Sequence, residues 1–153
     1  MCARWIAAAS LPALALLLQA CAGDPKLIRS DGELAACDGR HCVSSQADNP
    51  EYHVPPMRYA GSSRSARERL VRFIQAQDDS EVVTNSDCYV HAVFQGGVIR
   101  GPDDLELWFC SRPGYIEVRS ASRSGLQLSD DNRERVQSLR DALSIDADRS
   151  LNQ

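Results

Sequence analysis

Apolar residues recur with the period of an α-helix in two stretches of the chain. The first stripe predicts an amphipathic helix from Ser65. The second predicts a helix with Ser129 as its N-cap and with Asp130 and Asp131 near the positive end of its dipole. The stripes comprise Ala66, Leu70, Phe73, Ile74 and Gln77 in the first helix and Val136, Leu139 and Leu143 in the second.

Between these helices, apolar and polar residues alternate with a period of two, which predicts β-strands. Four such runs cover residues 81–84, 88–95, 104–110 and 115–120. The short connections between them favour antiparallel neighbours, because a parallel return needs a long crossover. The sequence therefore predicts an α+β domain, in which a small antiparallel sheet of about four strands carries two helices packed on one face.

The register of the predicted sheet follows from one turn and from apolar pairing. Pro113-Gly114 predicts a type II turn, because proline fixes the first φ and glycine accepts the positive φ that follows. With these two residues at the centre of a hairpin, Asp104 is expected to face Arg123, and Trp108 to face Arg119. In the preceding hairpin, apolar pairing predicts these partners: Phe94 with Leu105, Ala92 with Leu107, and Val90 with Phe109.

The N-terminus has the features of a secretory signal peptide. Arg4 precedes an almost wholly apolar run, Trp5 to Leu18, which is shorter than the ~20 residues that a membrane-spanning helix needs. Leu18-Gln19-Ala20-Cys21 then resembles the bacterial lipobox, which implies cleavage before Cys21 and lipidation of Cys21. Ordinary cleavage after Ala20, which leaves Cys21 free, is the alternative. Because Ala22 follows, the resemblance implies the outer membrane, with the protein lipid-anchored on its periplasmic face.

This interpretation divides the chain into four parts. They are a lipoprotein signal peptide at 1–20, a flexible tether at 21–36, a single α+β domain at 37–145 and a polar tail at 146–153. The tether is predicted from Pro, Gly and alternating charges without periodicity. Residues 37–62 contain several prolines and are expected to form an ordered but irregular lead-in to the domain.

Four cysteines remain after signal removal and lipidation: Cys37, Cys42, Cys88 and Cys110. An even number in an oxidising compartment predicts two disulfides, with three connectivities possible. Close spacing favours Cys37–Cys42, and adjacent strand ends favour Cys88–Cys110. Cys37, His41 and Cys42 are too few for a structural zinc site, so neither a metal nor a cofactor is predicted.

The charge balance restricts the class of partner. The 153 residues include 17 Lys+Arg and 21 Asp+Glu, and loss of Arg4 with the signal peptide would give a net charge of −5. Nucleic-acid binding depends on a clustered positive excess, so that class is excluded. The expected partners are the membrane, through the N-terminal lipid, and an envelope protein or a small ligand.

Three groups of residues resemble the family called domain of unknown function 1499. They are Cys42-Val43-Ser44-Ser45-Gln46, Asp103-Asp104, and Arg119-Ser120-Ala121-Ser122-Arg123 with Gly125, Asn132 and Arg135. The resemblance covers about residues 37–143 and implies kinship with exported and lipid-anchored bacterial proteins, without implying an activity. The chain departs from the family pattern at Leu128, Asp130 and Gly101-Pro102. A ligand site that depends on those positions is altered or absent.

The residues that carry this resemblance are called the signature residues below. The predicted register brings them together at one end of a hairpin. One interpretation is a structural lock between aspartate and arginine, with serine and asparagine satisfying backbone groups. The other is an anion pocket built from Arg119, Arg123 and helix N-terminal amides, although two acids nearby oppose a strongly anionic ligand. The candidates for either role are Asp103, Asp104, Arg119, Ser120, Ser122, Arg123, Asn132 and Arg135.

A second candidate site lies on the strand face that points away from the helices, which we call the polar face. Its members are Tyr89, His91, Trp108, Tyr115, Glu117 and Arg119. Such a polar and aromatic surface suits a ligand or a partner, and Tyr89, His91 and Trp108 are its candidate binding residues. In the alternative, residues 43–62 cover it.

Two classes of function remain. The first is a lipid-anchored periplasmic envelope protein that acts as a binding or structural module, with no catalytic residues. The second is a periplasmic hydrolase or transferase that uses His91 or His41. The first is preferred, because the sequence shows no convergent acid–base pair at an informative spacing.

Overall fold

The computed structural model describes residues 32–96, 101–124 and 130–151. Within them the chain forms six strands and two helices. In chain order these are β1 (Cys42–Ser44), β2 (Met57–Arg58), α1 (Ser63–Gln75), β3 (Ser80–Asn85), β4 (Tyr89–Phe94), β5 (Asp103–Trp108), β6 (Tyr115–Ser122) and α2 (Asp131–Leu151). None of the helices in this part of the chain is long and apolar enough to cross a membrane.

The strands form one antiparallel sheet in the order β1-β6-β5-β4-β3, and β2 also pairs with β6. The predicted α+β class is confirmed, but the predicted number of about four strands is too low. The two additional strands come from residues 37–62. They are only three and two residues long, which is too short for a period of two to be seen in the sequence.

Buried residues of both helices and of the sheet belong to one main hydrophobic core. Buried residues of α1 and α2 share a single cluster with alternate residues of the central strands. The lead-in segment adds Val43, Val54 and Met57 to this cluster. α1 begins with Ser62 as its N-cap, whose side chain accepts a hydrogen bond from the Ser65 amide.

The register of β5 and β6 differs from the prediction by two residues. Asp104 lies opposite Ala121 and Trp108 lies opposite Glu117, rather than opposite Arg123 and Arg119. The turn itself forms as predicted, with φ of +81° at Gly114. Beyond Trp108 the chain still contacts the residue before β4, because the Phe109 amide donates to the Cys88 carbonyl at 2.8 Å.

The β4–β5 register also differs by two residues. Ala92 faces Leu105, and Phe94 faces Asp103 instead of an apolar partner. This arrangement is stabilised because Arg135 binds Asp103 and also lies 4.4 Å from the centroid of the Phe94 ring. A shift of two residues keeps each side chain on its predicted face, so the division into an apolar and a polar face holds.

Two predicted boundaries change. Residues 32–36, assigned to the tether, contact the domain, and α2 continues to Leu151 through most of the predicted polar tail. The predicted N-cap Ser129 lies outside the described residues, as do the signal peptide and Cys21.

Candidate functional site

The signature residues form two networks on opposite sides of the sheet instead of one site. Adjacent residues of a strand point to opposite faces. Asp103 therefore shares the helix side with Ser120 and Ser122, whereas Asp104 and Arg119 lie on the other side. The prediction that these residues meet at one end of a hairpin is therefore wrong. It did not consider that Asp103 and Asp104, as adjacent residues of one strand, point to opposite faces of the sheet.

On the helix side, Arg135 connects α2 to β5 and β6. Its Nη2 donates to Asp103 Oδ2 at 2.7 Å, and its Nη1 donates to Ser120 Oγ at 2.8 Å and to Asn132 Oδ1 at 2.7 Å. Ser120 Oγ also donates to Asn132 Oδ1 at 2.7 Å. Asp103, Ser120 and Asn132 are all buried, so this network satisfies polar groups that water cannot reach.

The helix-side network also holds the chain that precedes β1. Asn132 Nδ2 donates to the His41 carbonyl at 2.9 Å, and the Ser122 amide donates to the same carbonyl at 2.9 Å. Ser122 Oγ lies 3.1 Å from Ser124 Oγ. The Asn132 side chain and the Ser122 amide thus hold the His41 carbonyl between α2 and β6.

On the opposite side, Asp104 is bound by two nitrogen-bearing side chains. Arg123 donates from Nε to Oδ2 at 2.9 Å and from Nη2 to Oδ1 at 2.8 Å, and His91 Nε2 lies 2.8 Å from Oδ1. Burial would raise the pKa of the Asp104 carboxyl group, but hydrogen bonds with His91 and Arg123 outweigh burial and lower this pKa to about 2. The carboxylate is therefore held in its charged form.

Glu106, two residues further along β5, is completely buried. Tyr89 Oη donates to its Oε1 at 3.1 Å, and Arg119 Nη1 donates to its Oε2 at 3.0 Å. Burial raises the pKa of Glu106 despite the charge of Arg119, and burial beside Glu106 also raises the pKa of the Tyr89 hydroxyl. Glu106 is not among the candidate residues predicted from the sequence, although a glutamate between Leu105 and Leu107 in an apolar strand indicates a buried carboxyl group.

The lowered pKa of Asp104 predicts acid sensitivity. Between an unfolded pKa of 3.8 and a folded pKa of about 2, acidification should remove about 2 kcal/mol of stability, which is fully present above this window. Glu106 acts in the opposite direction, because its raised pKa makes protonation favour the folded state. Urea unfolding of wild type and Asp104→Asn isolates the aspartate: their difference should shrink as pH falls through this window. A constant difference would contradict the prediction.

The N-terminal residues that precede Cys37 contact part of the polar face. Arg119 Nε donates to the Ala36 carbonyl at 3.3 Å, and a Cβ added to Gly32 would lie 2.7 Å from Trp108 Cε2. Tyr89 and His91 are each 7% exposed. Residues 43–62, the alternative cover, also contact this face, because Ser45 Oγ donates to Glu117 Oε2 at 2.7 Å and Arg58 lies 5.7 Å from the centroid of the Tyr115 ring, while the apolar residues of the segment enter the main core.

Both predicted disulfides are present. Cys37 pairs with Cys42 at a Cα–Cα distance of 5.6 Å, and Cys88 pairs with Cys110 at 5.1 Å. Cys88 precedes β4 and Cys110 follows β5. The second disulfide therefore forms just beyond the paired residues of the two strands. There the alternation of side chains between the two sheet faces no longer restricts the cysteines.

Two cavities lie beside the helix-side network. Their volumes are about 300 and 260 Å³, and they share Asp79, Phe94, Asp131 and Arg135 as lining residues. Arg135 already binds Asp103, so acids dominate this lining and oppose an anionic ligand. Among the described residues, no group of three or more His, Cys, Asp or Glu side chains is placed to hold a metal ion.

Comparison with known proteins gives one match. A family model with the description "Protein of unknown function (DUF1499)" matches residues 33–143. No curated protein and no solved structure matches the chain. The match begins at residue 33, directly after Gly32, so it includes Ala36, whose carbonyl binds Arg119 on the polar face.

Proposed function

The chain belongs to the DUF1499 family, and from this premise we propose that it is a lipid-anchored envelope protein of the bacterial outer membrane whose periplasmic domain is a binding or structural module. The observation that carries the proposal is the use of cysteine. Cys21 completes a lipobox-like sequence, and the four cysteines that follow it form two disulfides. Disulfides form and persist in oxidising compartments, of which the periplasm is one.

The state of the charged side chains supports a binding or structural role. Arginines that could hold an anion in a pocket bind internal carboxylates instead: Arg119 binds Glu106, Arg123 binds Asp104 and Arg135 binds Asp103. We propose further that both helices cover one face of the sheet as a second layer. Support comes from the core cluster that contains residues of both helices and of alternate strand positions.

One observation favours a second candidate, a periplasmic hydrolase or transferase. His91 Nε2 lies 2.8 Å from Asp104 Oδ1, an arrangement that orients the imidazole of a general base. We place this candidate second because His91 is only 7% exposed and Asp104 already binds Arg123. His41, the other proposed base, lies before β1 on a different part of the domain.

The lipid anchor gives a direct prediction. Cys21→Ser should abolish incorporation of a radiolabelled fatty acid, because the serine hydroxyl does not replace the thiol that is acylated. The protein should then leave the outer-membrane fraction. Cys2→Ser is the matched control, since Cys2 lies within the predicted signal peptide, and it should label normally. Undiminished labelling of Cys21→Ser would contradict the proposal.

A further inference from the structure

Residues 32–36, which we call the strap, contact two residues of the polar face, Trp108 and Arg119. The contacts use backbone groups and a residue without a side chain. Arg119 Nε binds the Ala36 carbonyl at 3.3 Å, and the Leu34 amide donates to Gln46 Oε1 at 2.8 Å. Gly32 approaches Trp108 so closely that an added Cβ would lie 2.7 Å from Cε2. Backbone hydrogen bonds combined with selective side-chain contacts are typical of peptide recognition.

A cavity lies beside the strap. A cavity of about 460 Å³ is lined by strap residues, by Cys37 and by Ser44, Gln46 and Asp48 at the end of β1. Leu34 lines this cavity and is nevertheless 5% exposed. Residues 33–36 of the strap therefore border an open volume instead of being packed on every side.

The end of the strap is fixed to the domain. Cys37 directly follows Ala36 and is joined to Cys42 in β1 by a disulfide. The strap can therefore leave the polar face only by lifting from its N-terminal end, with Cys37 as the hinge. A tethered segment competes with an outside ligand at an effective concentration on the order of millimolar.

We propose that the polar face is a binding site for an extended peptide segment of an envelope protein, and that the strap occupies this site in cis and keeps it closed. The proposal rests on the proposed function and gives its binding module a ligand class. The peptide must carry a glycine over Trp108, because a side chain there meets the indole ring. It must also offer a backbone carbonyl to Arg119.

A pair of glycine substitutions separates strap release from general strain. Gly32 and Gly61 both have positive φ, +85° and +78°, but a Cβ at Gly61 has no atom within 4 Å. Gly32→Ala therefore adds the collision with Trp108, whereas Gly61→Ala adds only the backbone strain. Gln46→Ala is a milder release variant, because it removes the acceptor of the Leu34 amide at an exposed residue.

The experiment uses the full chain with Trp5→Phe, which leaves Trp108 as its only tryptophan. Acrylamide quenching of Trp108 should increase at least about threefold in Gly32→Ala, increase less in Gln46→Ala and stay unchanged in Gly61→Ala. The synthetic peptide Ser30-Asp31-Gly32-Glu33-Leu34-Ala35-Ala36, added in trans, should restore protection in the release variants. Its Kd for Gly32→Ala should be at least about tenfold lower than for wild type. The same peptide with alanine in place of glycine should not bind.

Three results would overturn the inference. The first is equal quenching in Gly32→Ala and Gly61→Ala, and the second is unchanged quenching in both Gly32→Ala and Gln46→Ala. The third is Trp108 exposed in a release variant that the peptide does not protect. None of these results depends on the lipid, so failure here leaves labelling at Cys21 as an independent test of the proposed function.

Discussion

Arg119→Met is expected to lower the free energy of unfolding by about 3–5 kcal/mol, the usual result of leaving a buried charge without its partner. Glu106 is completely buried, and Arg119 is its cationic partner at 3.0 Å. Methionine keeps most of the aliphatic length of arginine, so the loss of packing is small. Urea unfolding at neutral pH measures the effect directly.

The double variant Glu106→Gln/Arg119→Met is the control for this prediction. Glutamine removes the uncompensated charge and can still accept a hydrogen bond from Tyr89, so the double variant should recover part of the lost stability. A loss below about 1 kcal/mol in the single variant, as for exposed ion pairs, would show that Glu106 does not depend on Arg119.

Arg135→Met should produce a loss of similar size, about 3–5 kcal/mol. Arg135 is the cation that binds the buried Asp103, and it also donates to Ser120 and Asn132. Removing it leaves these buried acceptors with fewer donors and releases the contact with Phe94. Thermal and urea unfolding should agree on the decrease.

A neighbouring arginine on the same helix provides the matched control. Arg133 donates to the carbonyls of Glu51 and His53, but 43% of its side chain is exposed. Arg133→Met should therefore cost less than about 1 kcal/mol, because water replaces the lost donors. Equal losses in Arg133→Met and Arg135→Met would mean that α2 responds to any lost arginine, rather than to the loss of the Asp103 partner.

The faces of the central strands could be predicted from sequence, whereas their register could not. Alternation fixes the face of each side chain, and it correctly placed Tyr89, His91 and Trp108 together. Register depends on where the chain leaves one neighbour for the next. That point depends on long-range contacts, such as the hydrogen bond from the Phe109 amide to the Cys88 carbonyl beyond the end of β5.

The strap and the Glu106 pair illustrate a different limit. Gly32 and Ala36 lie in a segment without periodicity, so only the tertiary contacts with Trp108 and Arg119 show that it is ordered. Glu106 interrupts an apolar strand, but its buried state depends on Tyr89 and Arg119 from two other strands. Such long-range pairings are absent from any local pattern.

The signature Asp103 and Asp104 belong to separate networks on opposite faces of the sheet, and this separation can be measured. Double-mutant cycles test it directly, with Asp103→Asn, Asp104→Asn, Arg123→Met and Arg135→Met combined in pairs and unfolded in urea. The coupling energy should be about 1–3 kcal/mol within Asp103/Arg135 and within Asp104/Arg123, whereas the effects of Asp103/Arg123 and of Asp104/Arg135 should be additive within about 0.5 kcal/mol. Crossed couplings as large as those within the pairs would contradict this separation and indicate one shared site.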